Sequence, residues 1–170
     1  MKKIAKFEKV SFEQFKKDWI DTFGLDEEAN IEEIYENIKL PRRATAGSAG
    51  YDFFAPVRLI LEPGETLKIP TGIRVEMDPE WVLKCYPRSG LGFKYRLQLN
   101  NTVGIIDSDY FYSDNEGHMF SKITNDTNEE KTIDIAQGEG FMQGIFVEYG
   151  ITVDDDVTDV RNGGFGSTTK

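Results

Sequence analysis

From residue 41 onward, apolar and polar positions alternate in short bursts separated by turn residues. Ile73, Val75 and Met77 alternate with Arg74 and Glu76, which is the period of a half-buried strand. Similar stretches predict strands at 51–54, 57–61, 67–69, 73–77, 81–86, 119–124, 132–135 and 141–149. Turn residues punctuate them, as in Glu62-Pro63-Gly64-Glu65 and Asp78-Pro79-Glu80. The first 40 residues follow another period. Phe12, Phe15, Trp19 and Ile20, then Ile31, Ile34, Tyr35 and Ile38, recur at helical spacing, which predicts helices over 11–22 and 28–38. Ser11-Phe12-Glu13-Gln14 has the residues of a capping box, Gly24 separates the helices, and Pro41 stops the second. Many short strands with almost no helix between them predict an all-β sandwich or barrel, with a helical extension at 1–40 packing on it.

Four stretches are odd for scaffolding alone. Residues 97–110 have apolar ends around Asn100-Asn101-Thr102, which predicts a β-hairpin. Asp107, Asp109 and Tyr110 directly follow the buried-looking Ile105-Ile106. A carboxylate beside a buried strand loses solvation and needs compensation, either in an Asx-type turn or in a reacting site. Pro87-Arg88-Ser89-Gly90-Leu91-Gly92 reads either as a plain turn or as an anion nest of amides beside a cation. Ala46-Gly47-Ser48-Ala49-Gly50-Tyr51-Asp52 is a small-residue approach to a lone carboxylate. The last stretch, 161–170, is glycine-rich with Arg161, Phe165, Ser167 and Thr168, and reads either as a frayed end or as a flap over a phosphate. It lacks the Gly-Lys-Ser/Thr order of a P-loop.

Composition narrows the chemistry. A length of 170 residues is that of one domain with a real core. No apolar run approaches the ~18 residues of a membrane span, and the charged start has no apolar core of a secretory signal. Cys85 is the only cysteine, so no intramolecular disulfide forms and a cytoplasmic setting is expected. The formal net charge of −10 argues against nucleic-acid partners, yet leaves room for a small anion held by local arginines. His118, the only histidine, follows Asp114-Asn115-Glu116-Gly117 and is expected in a surface loop. One Cys and one His exclude a Cys/His zinc cluster. Hydrolysis would have to use carboxylates, arginines, hydroxyls and backbone amides, with or without a hard cation.

Residues 41–160 together with the tail resemble the trimeric all-β dUTP diphosphatases, the dUTPase family. Five motifs occur in family order. They are Ala49-Gly50-Tyr51-Asp52, Pro87-Arg88-Ser89-Gly90, residues 101–110, Gly138-Glu139-Gly140-Phe141-Met142-Gln143, and Arg161 with Gly163-Gly164-Phe165-Gly166-Ser167-Thr168. The resemblance implies a jelly-roll or β-barrel domain at 41–160 and a flexible flap at 161–170. It implies hydrolysis of dUTP to dUMP and pyrophosphate, in a homotrimer whose sites are shared between subunits. Asp107 would be the general base for a water attacking the α-phosphorus. Asn101, Val103 and Gly104 would read uracil, and Tyr110 would pack under the deoxyribose. Arg88, Ser89, Gly90 and Gln143 would hold phosphates. Phe165 and Gly166 would cover the base, while Arg161, Ser167 and Thr168 would clamp the terminal phosphates. Mg2+ would ride on the triphosphate and waters, with no direct protein ligand and with Asp52 behind it.

The chain also departs from the family. Gly140 stands where an arginine is usual, Arg161 lies one residue closer to the glycines, and residues 111–118 form a longer link after the tyrosine. The main alternative is a dUTP-binding regulatory protein that signals to a protein partner, for which the helices and that link would be the contact surfaces. A dCTP deaminase would need a pocket acid for the exocyclic amine, and no candidate stands out.

Overall fold

In the computed structural model the predicted alternation becomes a series of short strands, and residues 1–25 and 29–164 are described. In chain order these are β1 (Ala5–Lys9), α1 (Phe12–Phe23), α2 (Ile31–Glu36), β2 (Arg42–Arg43), β3 (Tyr51–Phe54), β4 (Leu59–Leu61), β5 (Thr66–Pro70) and β6 (Ile73–Met77). Then come β7 (Trp81–Pro87), α3 (Ser89–Tyr95), β8 (Leu97–Leu99), β9 (Gly104–Ile106), a 3-10 turn over Ser108–Tyr112, β10 (Phe120–Asn125), β11 (Ile133–Ile135) and β12 (Gly140–Glu148). The strands assemble as β2-β3-β12-β7-β9, β5-β10-β8, β11-β4 and β1-β6. All of these pairings are antiparallel. Phe53, Leu83 and Phe141 of the large sheet meet Ile69, Leu97 and Ile123 of the three-stranded sheet in one core, an all-β sandwich as expected. Among the described residues, no helix is long and apolar enough to cross a membrane.

The N-terminal segment departs from its expected all-helical form. It contributes β1, which pairs along β6 from Ala5↔Met77 to Lys9↔Ile73. Lys6 and Glu8 face away from the body and hide the strand pattern, while Phe7 packs its ring against Tyr51, Phe53 and Phe146 at 5.3–5.7 Å. Val10, Phe15, Trp19 and Ile38 join the same core cluster as the sandwich.

The helix ends show which local interactions prevailed. Ser11 Oγ accepts from the Gln14 N–H, as a capping box requires. The reciprocal arm comes from elsewhere: Glu116 accepts from Ser11 N–H at 2.9 Å and from Ser11 Oγ at 2.5 Å. Gln14 donates instead to Asp18 Oδ2. The second helix is shorter than the predicted 28–38, whose first residue lies outside the described ones. Asn30 caps it by accepting from the Glu33 N–H at 3.1 Å, and it ends before Ile38, which turns into the core.

Phe15 has no exposed surface and stacks near Trp19, Tyr35 and His118. Phe15→Ala should therefore cost about 3–5 kcal/mol of stability in denaturant unfolding. A loss below about 1 kcal/mol, the size of an ordinary average substitution, would mean that the N-terminal segment does not share the core.

Candidate active site

The expected hairpin over 97–110 is not a hairpin. β8 pairs with β10 through Leu99↔Ile123, and β9 pairs with β7 through Gly104↔Cys85. The two legs belong to different sheets, so they splay apart. The link between them is tight, with the Thr102 N–H donating to Leu99 O at 2.8 Å and the Val103 N–H to Asn101 O at 2.7 Å. Thr102 takes φ 67°, a left-handed conformation rare for a β-branched residue. Between the legs opens a cavity of about 650 Å³. Asn101, Val103, Gly104, Asp107, Tyr110 and Arg161 all line it, above an apolar floor that includes Leu99, Cys85 and Met142. A Cβ at Gly104 would sit only 3.0 Å from the Cys85 Cβ, so glycine lets β9 lie close on β7. Burial pushes the Cys85 thiol up to about 12, so it remains an unreactive part of the floor.

Asp107 leaves the end of β9 at the cavity wall. The compensation for its charge is Arg161, whose Nη2 donates to Asp107 Oδ2 at 2.6 Å and whose Nε donates to Asp109 Oδ1 at 2.8 Å. One guanidinium thus serves two carboxylates, a charge-assisted fork. Tyr110, nearly fully buried, donates its hydroxyl to His118 O at 2.6 Å and accepts from Asn115 Nδ2 at 2.8 Å. Burial pushes this phenol's pKa up, so it stays protonated and works as a donor.

Asp52, Arg88 and Gln143 form a second group. Their strands set it: Gln143 of β12 lies opposite both Asp52 of β3 and Tyr86 of β7. Arg88 Nε sits 3.2 Å from Asp52 Oδ1, Arg88 Nη1 donates to Gly140 O at 3.3 Å, and Gln143 Nε2 donates to Pro87 O at 3.2 Å. A Cβ at Gly140 would come within 2.8 Å of Arg88 Nη1, so the Arg88 guanidinium occupies the space that glycine leaves. The stretch read as a turn or nest is the short helix α3 with Arg88 at its N-cap position. Ser89 and Gly90 therefore present first-turn amides that have no intrahelical partner.

The two groups do not share the cavity. Arg88, Ser89 and Gly90 are not among its lining residues, and Arg88 and Ser89 border a separate depression with Phe93. Asp107 follows Ile106, which pairs with Leu83, while Arg88 lies beyond the other end of β7. From Leu83 to Arg88 is about 17 Å at strand rise.

His118 corrects a second expectation. It is not in a surface loop but fully buried, with Nδ1 at 2.5 Å from Asp18 Oδ2 and Nε2 accepting the Gly72 N–H at 2.8 Å. Asn115 and Glu116, which the sequence reading passed over, also act here. Their one legible signal was the length of the link after Tyr110. Phe165, Gly166, Ser167 and Thr168 lie outside the described residues.

The dUTPase family profile matches residues 36–169. The deoxyuridine 5'-triphosphate nucleotidohydrolase of Lactococcus lactis subsp. lactis (strain IL1403) is 43% identical over 139 residues, covering 79% of this chain and 91% of the relative. The solved dUTPase of Streptococcus mutans superposes with a TM-score of 0.62 at 33% identity, covering 86% of this chain and 97% of that one. A mutant dUTPase from phage phi11 of S. aureus, described with a coordinated structural Mg(II) ion, shares the fold at a TM-score of 0.58 and 24% identity, covering 73% of this chain and 92% of that one. The sandwich is the jelly-roll-like β architecture of these structures.

Proposed function

We infer the working of the site from one premise: the chain belongs to the dUTPase family. It hydrolyses dUTP to dUMP and pyrophosphate. The observation that carries the mechanism is a carboxylate, Asp107, at the wall of a cavity of about 650 Å³ and paired there with an arginine.

Uracil enters between the splayed legs. The backbone at Val103 and Gly104 and the Asn101 amide read its edge, and the tight link at 101–103 would exclude a 5-methyl group. Tyr110 lies under the deoxyribose and crowds a ribose 2'-hydroxyl. The incoming triphosphate draws Arg161 off Asp107 and Asp109, because a polyanion is the stronger partner for a guanidinium. The freed Asp107 then holds a water. The water oxygen bonds to the α-phosphorus, its proton passes to Asp107, and the bond to the bridging oxygen breaks to release pyrophosphate.

Arg88, Ser89, Gly90 and Gln143 hold the phosphates. Along β7, Arg88 lies about 17 Å and Gln143, opposite Tyr86, about 10 Å from the Leu83 position beside Asp107, so a neighbouring copy supplies the Arg88 group. This supports a homotrimer with shared sites. Phe165, Gly166, Ser167 and Thr168 complete the closure over base and phosphates. Among the described residues no three Asp, Glu, His or Cys side chains converge to hold a metal. Mg2+ would ride on the triphosphate and waters, with Asp52 steering Arg88 behind it. When bound, the ion offsets triphosphate charge and favours departure of pyrophosphate. The lone buried thiol suits the reducing cytoplasm as the place of action.

Asp107→Asn should lower turnover roughly 10²–10⁴-fold while nucleotide affinity stays within a few-fold; a near-normal rate would remove Asp107 from the mechanism. The shared site has its own test. Arg88→Ala and Asp107→Asn proteins, each inactive alone, should recover part of the activity when co-refolded into mixed oligomers. Mixed oligomers that form and stay inactive would contradict the composite site.

A further inference from the structure

Helix α1 and the 111–118 link are clamped together at two points. Near the helix start, Glu116 accepts both hydrogen bonds from Ser11. Two turns later Asp18 meets His118. Because His118 Nε2 accepts the Gly72 N–H, that nitrogen carries no proton, and the ring proton sits on Nδ1 and is donated to Asp18. Burial opposes the charge on Asp18, yet the hydrogen bonds from His118 and Gln14 hold its pKa below the usual carboxylate value. The pair is thus an ionised carboxylate fixing a neutral imidazole inside the protein.

What the clamp holds is the anchor of Tyr110. The described hydrogen bonds of the Tyr110 hydroxyl both go to the link: it donates to the His118 carbonyl and accepts from the Asn115 side chain. The link is stiff around these contacts. The His118 N–H donates to Asn115 O, the Gly117 N–H to Asn115 Oδ1, and Gly117 sits at φ 72°. A Cβ at Gly117 would fall 2.6 Å from Phe111 Cα, so the loop lies directly on the backbone that carries Tyr110.

We propose that Asp18 and His118 are positioning residues for Tyr110, and that through them the N-terminal helix sets the enzyme's rejection of ribonucleotides. The proposal rests on the reading of Tyr110 as the residue beneath the sugar. Rejecting a single added oxygen requires a ring that does not yield. A tyrosine pinned at its hydroxyl by a clamped loop cannot retreat, whereas one on a loosened loop can. Helix α1 then contributes to specificity without touching substrate.

The test compares kcat/KM for UTP and dUTP in the full chain. Asp18→Ala leaves the buried His118 Nδ1–H without its partner, and the UTP/dUTP ratio should rise roughly 5- to 10-fold, with kcat for dUTP falling far less. Asp18→Asn, which keeps the volume and weakens the bond, should give a smaller rise and decides the matter if Asp18→Ala does not fold. Ile133→Ala, fully buried in β11, is the destabilised control and should leave the ratio unchanged. Tyr110→Ala separates the layers of the argument. If it does not relax sugar discrimination, the reading of Tyr110 itself fails. If it does, while folded Asp18 variants keep the wild-type ratio, the positioning role is overturned. A ratio that rises equally in Ile133→Ala overturns it as well.

Discussion

The site depends on one topological constraint: the two legs around residues 100–103 serve different sheets. β8 spends its ladder hydrogen bonds on β10, and β9 spends its own on β7. Each leg is the edge strand of a different sheet and no ladder joins the two among the described residues, so the link is open, and Thr102 takes a left-handed conformation to make the turn. The edges that face inward are then not consumed by a ladder between the legs. Backbone groups must find partners somewhere, and a pyrimidine edge presents donors and acceptors of the same kind. The apolar residues Leu99, Cys85 and Met142 line the same opening, where the proposed mechanism puts the uracil ring.

Charge is organised around the same opening. The chain carries a net charge of −10, an unpromising total for a triphosphate enzyme. Local cations offset part of that charge. Arg161 is shared between Asp107 and Asp109, and Arg88 pairs with Asp52. Each arginine rests on a carboxylate. In the proposed mechanism this arrangement keeps the general base covered until the substrate arrives, and then leaves it beside the α-phosphorus.

Much of the fold was legible because period-two alternation reports which face is buried. Alternation does not report which strand is the partner, and so 97–110 read as a hairpin when its legs diverge. β1 escaped notice because charged Lys6, Glu8 and Lys9 surround Phe7, the one large apolar residue in it. The helix α3 was obscured by Gly90 and Gly92, which have low helix propensity. The motif residues of the cavity wall, Asn101, Val103, Gly104, Asp107 and Tyr110, were all legible and are brought together. His118 was not, because its neighbours 114–117 are polar or glycine. The left-handed Gly117 turns the chain inward, and the Asp18 carboxylate that satisfies the imidazole lies 100 residues away. A buried polar group is hidden from sequence when its partner is remote.

The central claim is that the splayed legs form a pocket for the base and sugar of dUTP, with Asp107 acting beside it. The most direct measurement is pyrophosphate release by the purified protein from dUTP, UTP, dTTP and dCTP in the presence of Mg2+. The account predicts a kcat/KM for dUTP that exceeds the other three by roughly 10²-fold or more. Comparable rates with UTP or dTTP, or nucleotide binding without pyrophosphate release, would contradict it.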